Sequence, residues 1–305
     1  MKQVTTSVLF SLILHCCYAQ AGWKNIDSVY QPLPSSVHIY FRDQPLDSAP
    51  FRAFYIEADL RDHQLLFTTD TTSNRRLTPS QFYVKNNRPL VVVNGTFFSF
   101  TTNKNLNVVI NKGRTLAYNL KQVKNIEDST QSLPIYSSAI GISRKHKADV
   151  AWIRTDSARR RVEALQFIHA PAAMVPYRKQ FRKWKVQTAI GGGPVLLQDG
   201  DIRITNEEEQ MFAGKGLTDK HPRTAMGYTA EGKLIILVVE GRNAAAGGAT
   251  LTQEAQLLKD LNCVEALNLD GGGSSCLLLN GKETIAPSDK QQRAIPAVFL
   301  IAGKQ

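Results

Sequence analysis

The sequence predicts an α+β fold: a single β-rich domain with several hairpins, mixed sheets and a few packed helices. Three observations carry this. Hairpin-type turns, Asn111-Lys112-Gly113, Asp199-Gly200, Glu231-Gly232 and Asn280-Gly281, sit between apolar runs and supply the positive φ that tight hairpins need. Two segments carry helix-start signals, Thr78-Pro79 with Gln81 and Thr250 with Gln253, each a capping residue followed three positions later by Gln. The second of these helices runs directly into an apolar strand, so helix and strand are expected to pack together. No repeat of fixed period is visible, which sets solenoids and propellers aside.

Taken in order, residues 1–21 show Lys2, an apolar run from Val8 to Leu14, and the small residues Ala19 and Ala21 about Gln20. This is the layout of a cleavable secretory leader. The run is shorter than the roughly 20 residues of a spanning helix, and no later segment approaches that length. Cleavage near Ala19 to Ala21, a secreted or periplasmic chain and no membrane span are expected. Residues 22–50 carry Pro32, Pro34, Pro45 and Pro50 around a strand-like run, Val37 to Phe41, and read as an N-terminal arm laid on a compact domain of residues 51–305. Asn119 to Pro134 is polar and reads as a surface loop. In the second helix Leu251, Ala255, Leu258 and Leu261 fall at helical spacing, and Val264 to Leu269 follows as a buried strand.

The composition, 43% hydrophobic and 21% charged over 305 residues, is that of a globular protein and excludes a disordered or fibrous chain. A formal charge of +11 favours anionic partners. Much of the excess lies between Arg159 and Lys185, where Arg159, Arg160, Arg161, Arg178, Lys179, Arg182, Lys183 and Lys185 surround Tyr177, Phe181 and Trp184. A polyanion patch is one reading; a solvated basic face with aromatics packed inward is the expected one. Cys16 and Cys17 leave with the leader. Cys263 and Cys276 remain, as a disulfide or as two buried thiols. Neither CxxC nor HExxH spacing occurs, so no metal site is assigned.

Three glycine-rich corners follow apolar strands: Asn94-Gly95-Thr96, Gly191-Gly192-Gly193-Pro194, and Asp270-Gly271-Gly272-Gly273-Ser274. Glycines at strand ends let backbone N–H groups approach a ligand. None is a nucleotide loop: the third lacks the Lys of a P-loop, and Pro194 stands where a dinucleotide site needs a helix. Asp270 among glycines and hydroxyls suits a rigid carboxylate beside N–H donors. Arg223, in His221-Pro222-Arg223, and Arg242, after Glu240-Gly241, are of the type that grips phosphate through paired N–H bonds. Asn94-Gly95-Thr96 also spells a glycosylation acceptor, discounted because an apolar strand leads straight into it.

The ordered set NGTFF (94–98), GGGPVLL (191–197), HPRTAMG (221–227), VVEGR (238–242), TLTQEAQLLKDL (250–261) and LNLDGGGSSCL (267–277) resembles the phosphodiester glycosidase family. The resemblance implies hydrolysis of the bond between a sugar's anomeric carbon and the phosphate of a diester, N-acetylglucosamine 1-phosphodiester or a phosphate-containing polysaccharide being the substrate type. A phosphate monoester leaves more readily than an alkoxide, so one carboxylate can suffice where ordinary glycosidases use two. On this basis Asp270 is expected as nucleophile or sugar-cation stabiliser. Arg223, with the Gly192 and Gly193 backbone, is expected to hold phosphate, and Glu240 to be the second carboxylate, a water-activating base or sugar-hydroxyl acceptor. Asn94, His221, Arg242, Gly271, Gly272 and Ser274 are expected to bind substrate. No cofactor is required, a divalent cation is left open, and nucleic acid is not expected as a partner. Two other readings compete: a secreted binding module for anionic polysaccharide or nucleic acid using the basic stretch, and a metal-dependent phosphodiesterase in which Asp270 and Glu240 hold a hard cation.

Overall fold

The structure is a computed structural model that describes residues 22–125, 128–167 and 180–304. The leader, and Tyr177, Arg178 and Lys179 of the basic stretch, lie outside them. Three large sheets and a separate two-stranded one are found among the described residues. The largest has eight strands in the order Lys24–Asn25, Val37–Arg42, Ala53–Asp59, Lys233–Val239, Arg223–Thr229, Cys263–Asn268, Val195–Gln198, Asp201–Ile202. A seven-stranded sheet includes Ser138–Ile142 and Thr188–Gly191, and a five-stranded one includes Leu277–Leu279, Val91–Asn94 and Ala297–Gly303. Every pair among the described strands is antiparallel. The mixed sheets expected from the sequence are therefore corrected: the strand Cys263–Asn268, which follows the second expected helix, pairs with neighbours running the other way.

All four expected turns join paired strands. At Lys112-Gly113, Asp199-Gly200 and Asn280-Gly281 both residues have positive φ, between 49° and 81°, which matches the strands' own twist. Helix α1 (Pro79–Lys85) and helix α3 (Leu251–Asp260) both begin with complete capping boxes; α2 is the short Asn206–Glu209. Leu251, Ala255, Leu258 and Leu261 pack against the outer face of the eight-stranded sheet, each leucine contributing roughly 2 kcal/mol by burial. The main core lies where the three sheets face one another, with Ile56, Val93, Ile190, Met226, Leu267 and Phe299 all in it.

Residues 22–50 are more than an arm laid on the domain. The Val37–Arg42 strand is hydrogen-bonded along the Ala53–Asp59 strand, and Val37 and Ile39 are buried, so the sheet begins before the expected boundary. The 119–134 segment also contains a hairpin, Gln122–Lys124 with Ser132–Pro134. At its start Asn119 is buried, accepting from Val108 N (2.7 Å) and donating to Ile153 O (2.9 Å). Phe181 and Trp184 face inward, as expected of a solvated basic face. Cys263 and Cys276 are free thiols buried in different clusters, and burial pushes both thiol pKa values up. No described helix is long and apolar enough to cross a membrane.

Candidate active site

The Asp270 corner is locked between two neighbouring strand ends. Leu269 N donates to Thr224 O (2.7 Å), Asp270 N to Gly95 O (3.1 Å), and Gly272 N to Pro222 O (2.8 Å). Asn94, fully buried, ties the same three segments through its side chain. Its Nδ2 donates to Asp270 O, and its Oδ1 accepts from Thr224 Oγ1 (2.9 Å) and Cys276 N (3.0 Å). The substrate contact expected of Asn94 is therefore corrected: its amide is occupied by protein, and it acts by fixing the Asp270 main chain. The same burial leaves no room for a glycan.

Asp270 itself is partly open to solvent. Burial by the surrounding protein is the largest influence on its carboxyl and pushes its pKa up to about 7, against the Ser274 hydroxyl, the charge of Arg293 and the Gly271 N–H, which favour the ionised form. Arg293 was not anticipated. Its Nη1 donates to Ser274 Oγ (3.3 Å), while Nε and Nη2 hold Asp289 Oδ2 (2.9 and 2.7 Å). The pair lies against Gly273, where a Cβ would collide with both side chains. Only the spacing of Asp289 and Arg293, four residues apart, hinted at this pair, and the segment reads otherwise as an ordinary polar loop.

On the other side of the corner stand His221 and Arg242. Arg242, exposed, donates from Nη2 to His221 Nδ1 (3.2 Å), so the imidazole presents an acceptor there. Burial, then Arg223 and Arg242, hold the His221 pKa down, which keeps the ring neutral. The Arg242 guanidinium lies against Gly272, whose φ of +58° and missing Cβ make room for it. Arg223 sits behind, buried. Its Nε donates to Ala249 O (3.0 Å) and its Nη2 to Asp219 O (3.3 Å). Among the described residues it makes no ion pair; the acid whose charge acts on it is Glu254, a buried carboxyl without a hydrogen-bond partner among those residues, whose pKa burial raises to about 8.

Two further expectations change. Glu240, 1% exposed, accepts from Asn243 Nδ2 (3.0 Å) at one oxygen and Ala286 N (3.1 Å) at the other, with Arg52 Nη1 3.5 Å away. It clamps two loops, and a water-activating role would require breaking those bonds. Gly192 N donates to Ser138 O (3.0 Å) and Gly193 N to Asn268 O (2.8 Å), so neither N–H is available to phosphate. Glu209, also missed from sequence, is buried beneath this corner and accepts from Ser138 N (2.7 Å) and Val195 N (2.9 Å). Asp270, Gly271, Gly272, Ser274, His221 and Arg242 thus come together with Arg293. Arg223 lies behind them, while Asn94, Glu240, Gly192 and Gly193 form the frame. No group of three or more metal-ligating side chains occurs among the described residues.

The chain is 32% identical over 111 residues to mouse N-acetylglucosamine-1-phosphodiester alpha-N-acetylglucosaminidase (34% of this chain, 21% of that one) and 39% identical over 104 residues to the human protein of that name (34% and 20%). It is 38% identical over 93 residues to the SPbeta prophage-derived protein YomE of Bacillus subtilis (30% and 14%). It spans at most about a fifth of the length of these relatives. The zebrafish N-acetylglucosamine-1-phosphodiester alpha-N-acetylglucosaminidase catalytic domain, auto-inhibited by its pro-peptide, superposes with a TM-score of 0.62 at 26% identity, covering 90% of this chain and 85% of that one. A hypothetical protein from Synechocystis shares the fold, with a TM-score of 0.64 at 14% identity over 92% of this chain and 64% of that one. A family model described as phosphodiester glycosidase matches residues 87–302, and the chain belongs to that family.

Proposed function

We propose that this chain is a secreted glycosidase that hydrolyses the sugar–phosphate bond of a sugar 1-phosphodiester, of the N-acetylglucosamine type, to free sugar and a phosphate monoester. The observation that carries the reading is Asp270: a partly exposed residue whose carboxyl, of raised pKa, is oriented by Ser274 and Gly271, with guanidinium groups on both sides. Ionised Asp270 faces the anomeric carbon and stabilises the positive charge that develops there, or bonds to it. The anomeric C–O bond breaks with its electron pair going to the phosphate oxygen. Water supplies the new oxygen on carbon and releases a proton to the medium. His221 and Arg242 hold the departing phosphate, and Arg223 adds positive charge from behind. The phosphate is a good enough leaving group that Glu240 need not act as an acid.

Export is part of the same proposal and rests on the leader read in residues 1–21. Purified protein incubated with methyl N-acetylglucosaminyl phosphodiester should release free N-acetylglucosamine and methyl phosphate. Release of N-acetylglucosamine 1-phosphate instead would place the cut on the other side of phosphorus and overturn the reading.

A further inference from the structure

Beside the catalytic corner is a feature that this chemistry does not use. Phe100 is 61% exposed, yet it is held at the tip of a closed turn: Ser99 N donates to Lys104 O (2.9 Å), Asn103 N to Ser99 O (2.8 Å), and Phe98 bridges to Asn105. One face of the ring packs against Phe98, with centroids 4.7 Å apart, and the rest is open to water. Two guanidinium carbons lie near the ring, Arg76 at 5.3 Å and Arg293 at 5.4 Å from its centroid. Arg293 also reaches Ser274 of the catalytic loop, so the ring is one guanidinium group away from the Asp270 corner. Arg76 and the exposed Lys104 make no ion pair or side-chain hydrogen bond among the described residues. A broad cleft lined by Asn74, Lys104, Asn105 and Tyr118 continues from this turn.

Aromatic surface and uncompensated cations side by side suit a ligand that has both an apolar ring face and a negative charge. A pyranose stacks its C–H face on an aromatic ring, and a phosphate pairs with guanidinium and ammonium groups. We propose that Phe100, Arg76 and Lys104 form an outer subsite for a sugar that carries its own phosphate, on the glycosyl side of the linkage being cut, across the Asp270 corner from the phosphate held by His221 and Arg242. The natural substrate is then a chain of phosphate-linked sugars, of which the Asp270 corner cuts one linkage while Phe100 holds the next unit. This inference rests on the glycosidase reading.

The test compares two substrates on the purified protein: methyl N-acetylglucosaminyl phosphodiester, which ends at the catalytic corner, and an oligosaccharide with two successive sugar–phosphate links. For the longer substrate Phe100→Ala should raise KM about tenfold with kcat within about twofold, and Arg76→Gln with Lys104→Gln should do the same. Phe100→Tyr should restore the KM. The methyl diester should be cut equally by all variants. The same loss of affinity should be seen by titrating the longer compound into the Asp270→Asn protein, where no turnover occurs. Equal KM for the longer substrate in Phe100→Ala and the parent, or an equal rise for both substrates, would overturn the subsite. If the parent protein cuts neither substrate while Asp270→Asn still binds the longer one through Phe100, the glycosidase reading fails and the subsite stands.

Discussion

Asp270 and Glu240 have similar sequence settings and opposite fates. Each follows an apolar strand of the eight-stranded sheet and precedes a glycine. At the Glu240 corner partners arrive from far along the chain, Arg52 and Ala286, and with Asn243 they occupy both carboxylate oxygens. At the Asp270 corner the glycines bring no side chains of their own, the residue is partly exposed, and burial of its carboxyl raises the pKa to about 7. The difference teaches that a strand-end carboxylate flanked by glycines stays partly exposed with a raised pKa. A fully satisfied one becomes a clamp.

The largest test of this contrast is Asp270→Asn, nearly isosteric but without charge. Turnover of the methyl diester should fall roughly a thousandfold or more, with the circular dichroism spectrum unchanged. Wild-type turnover in that variant would remove Asp270 from the reaction. Arg242→Ala comes next. Loss of one charge-assisted contact to phosphate should lower kcat/KM by about 10- to 100-fold, and an unchanged value would place the phosphate elsewhere. Glu240→Gln should behave in the opposite way. It turns one acceptor into a donor facing either Ala286 N–H or the Asn243 and Arg52 donors, and should cost about 1–3 kcal/mol in denaturant unfolding. Turnover per folded molecule should remain within a few-fold. A stable but inactive Glu240→Gln protein would show that Glu240 takes part in the chemistry, and the contrast between the two corners would collapse.

What was legible in the sequence follows the same division. Hairpin turns and capping boxes could be read because their chemistry is local: Lys112-Gly113 and Thr78 with Gln81 need no distant partner. Asp270 was visible because three glycines after a strand are costly unless the backbone needs them. The roles of Asn94 and Glu240 were not, since their hydrogen-bond partners lie 176 and 46 residues away and only the folded sheets bring them together. The Val37 to Phe41 strand could be read among the prolines of residues 22–50, but its pairing with Ala53–Asp59 in the main sheet could not, because pairing leaves no local pattern. Arg293 was missed because it works by packing against Gly273 and Ser274, a contact with no sequence pattern.

The smallest expected effect is the most diagnostic, because it tests how the Asp270 pKa is set. In the proposed mechanism the ionised carboxylate is the reactive form, so kcat/KM should rise with pH through an acid limb near 7. Arg293 favours the ionised form; Arg293→Gln should therefore move that limb to higher pH, lowering activity more at pH 6 than at pH 8. Stability has the opposite sign. The folded carboxyl holds its proton up to about 7, whereas the unfolded chain loses it near 3.8, so the folded state binds more protons between these values. This contribution is present at low pH and is lost as pH rises through 7. Asp270→Asn, which cannot ionise, should accordingly show a higher Tm than the parent at pH 8 and a smaller difference at pH 5. Equal differences at both pH values would mean that the Asp270 corner carries no burial penalty and is satisfied in the same way as the Glu240 corner.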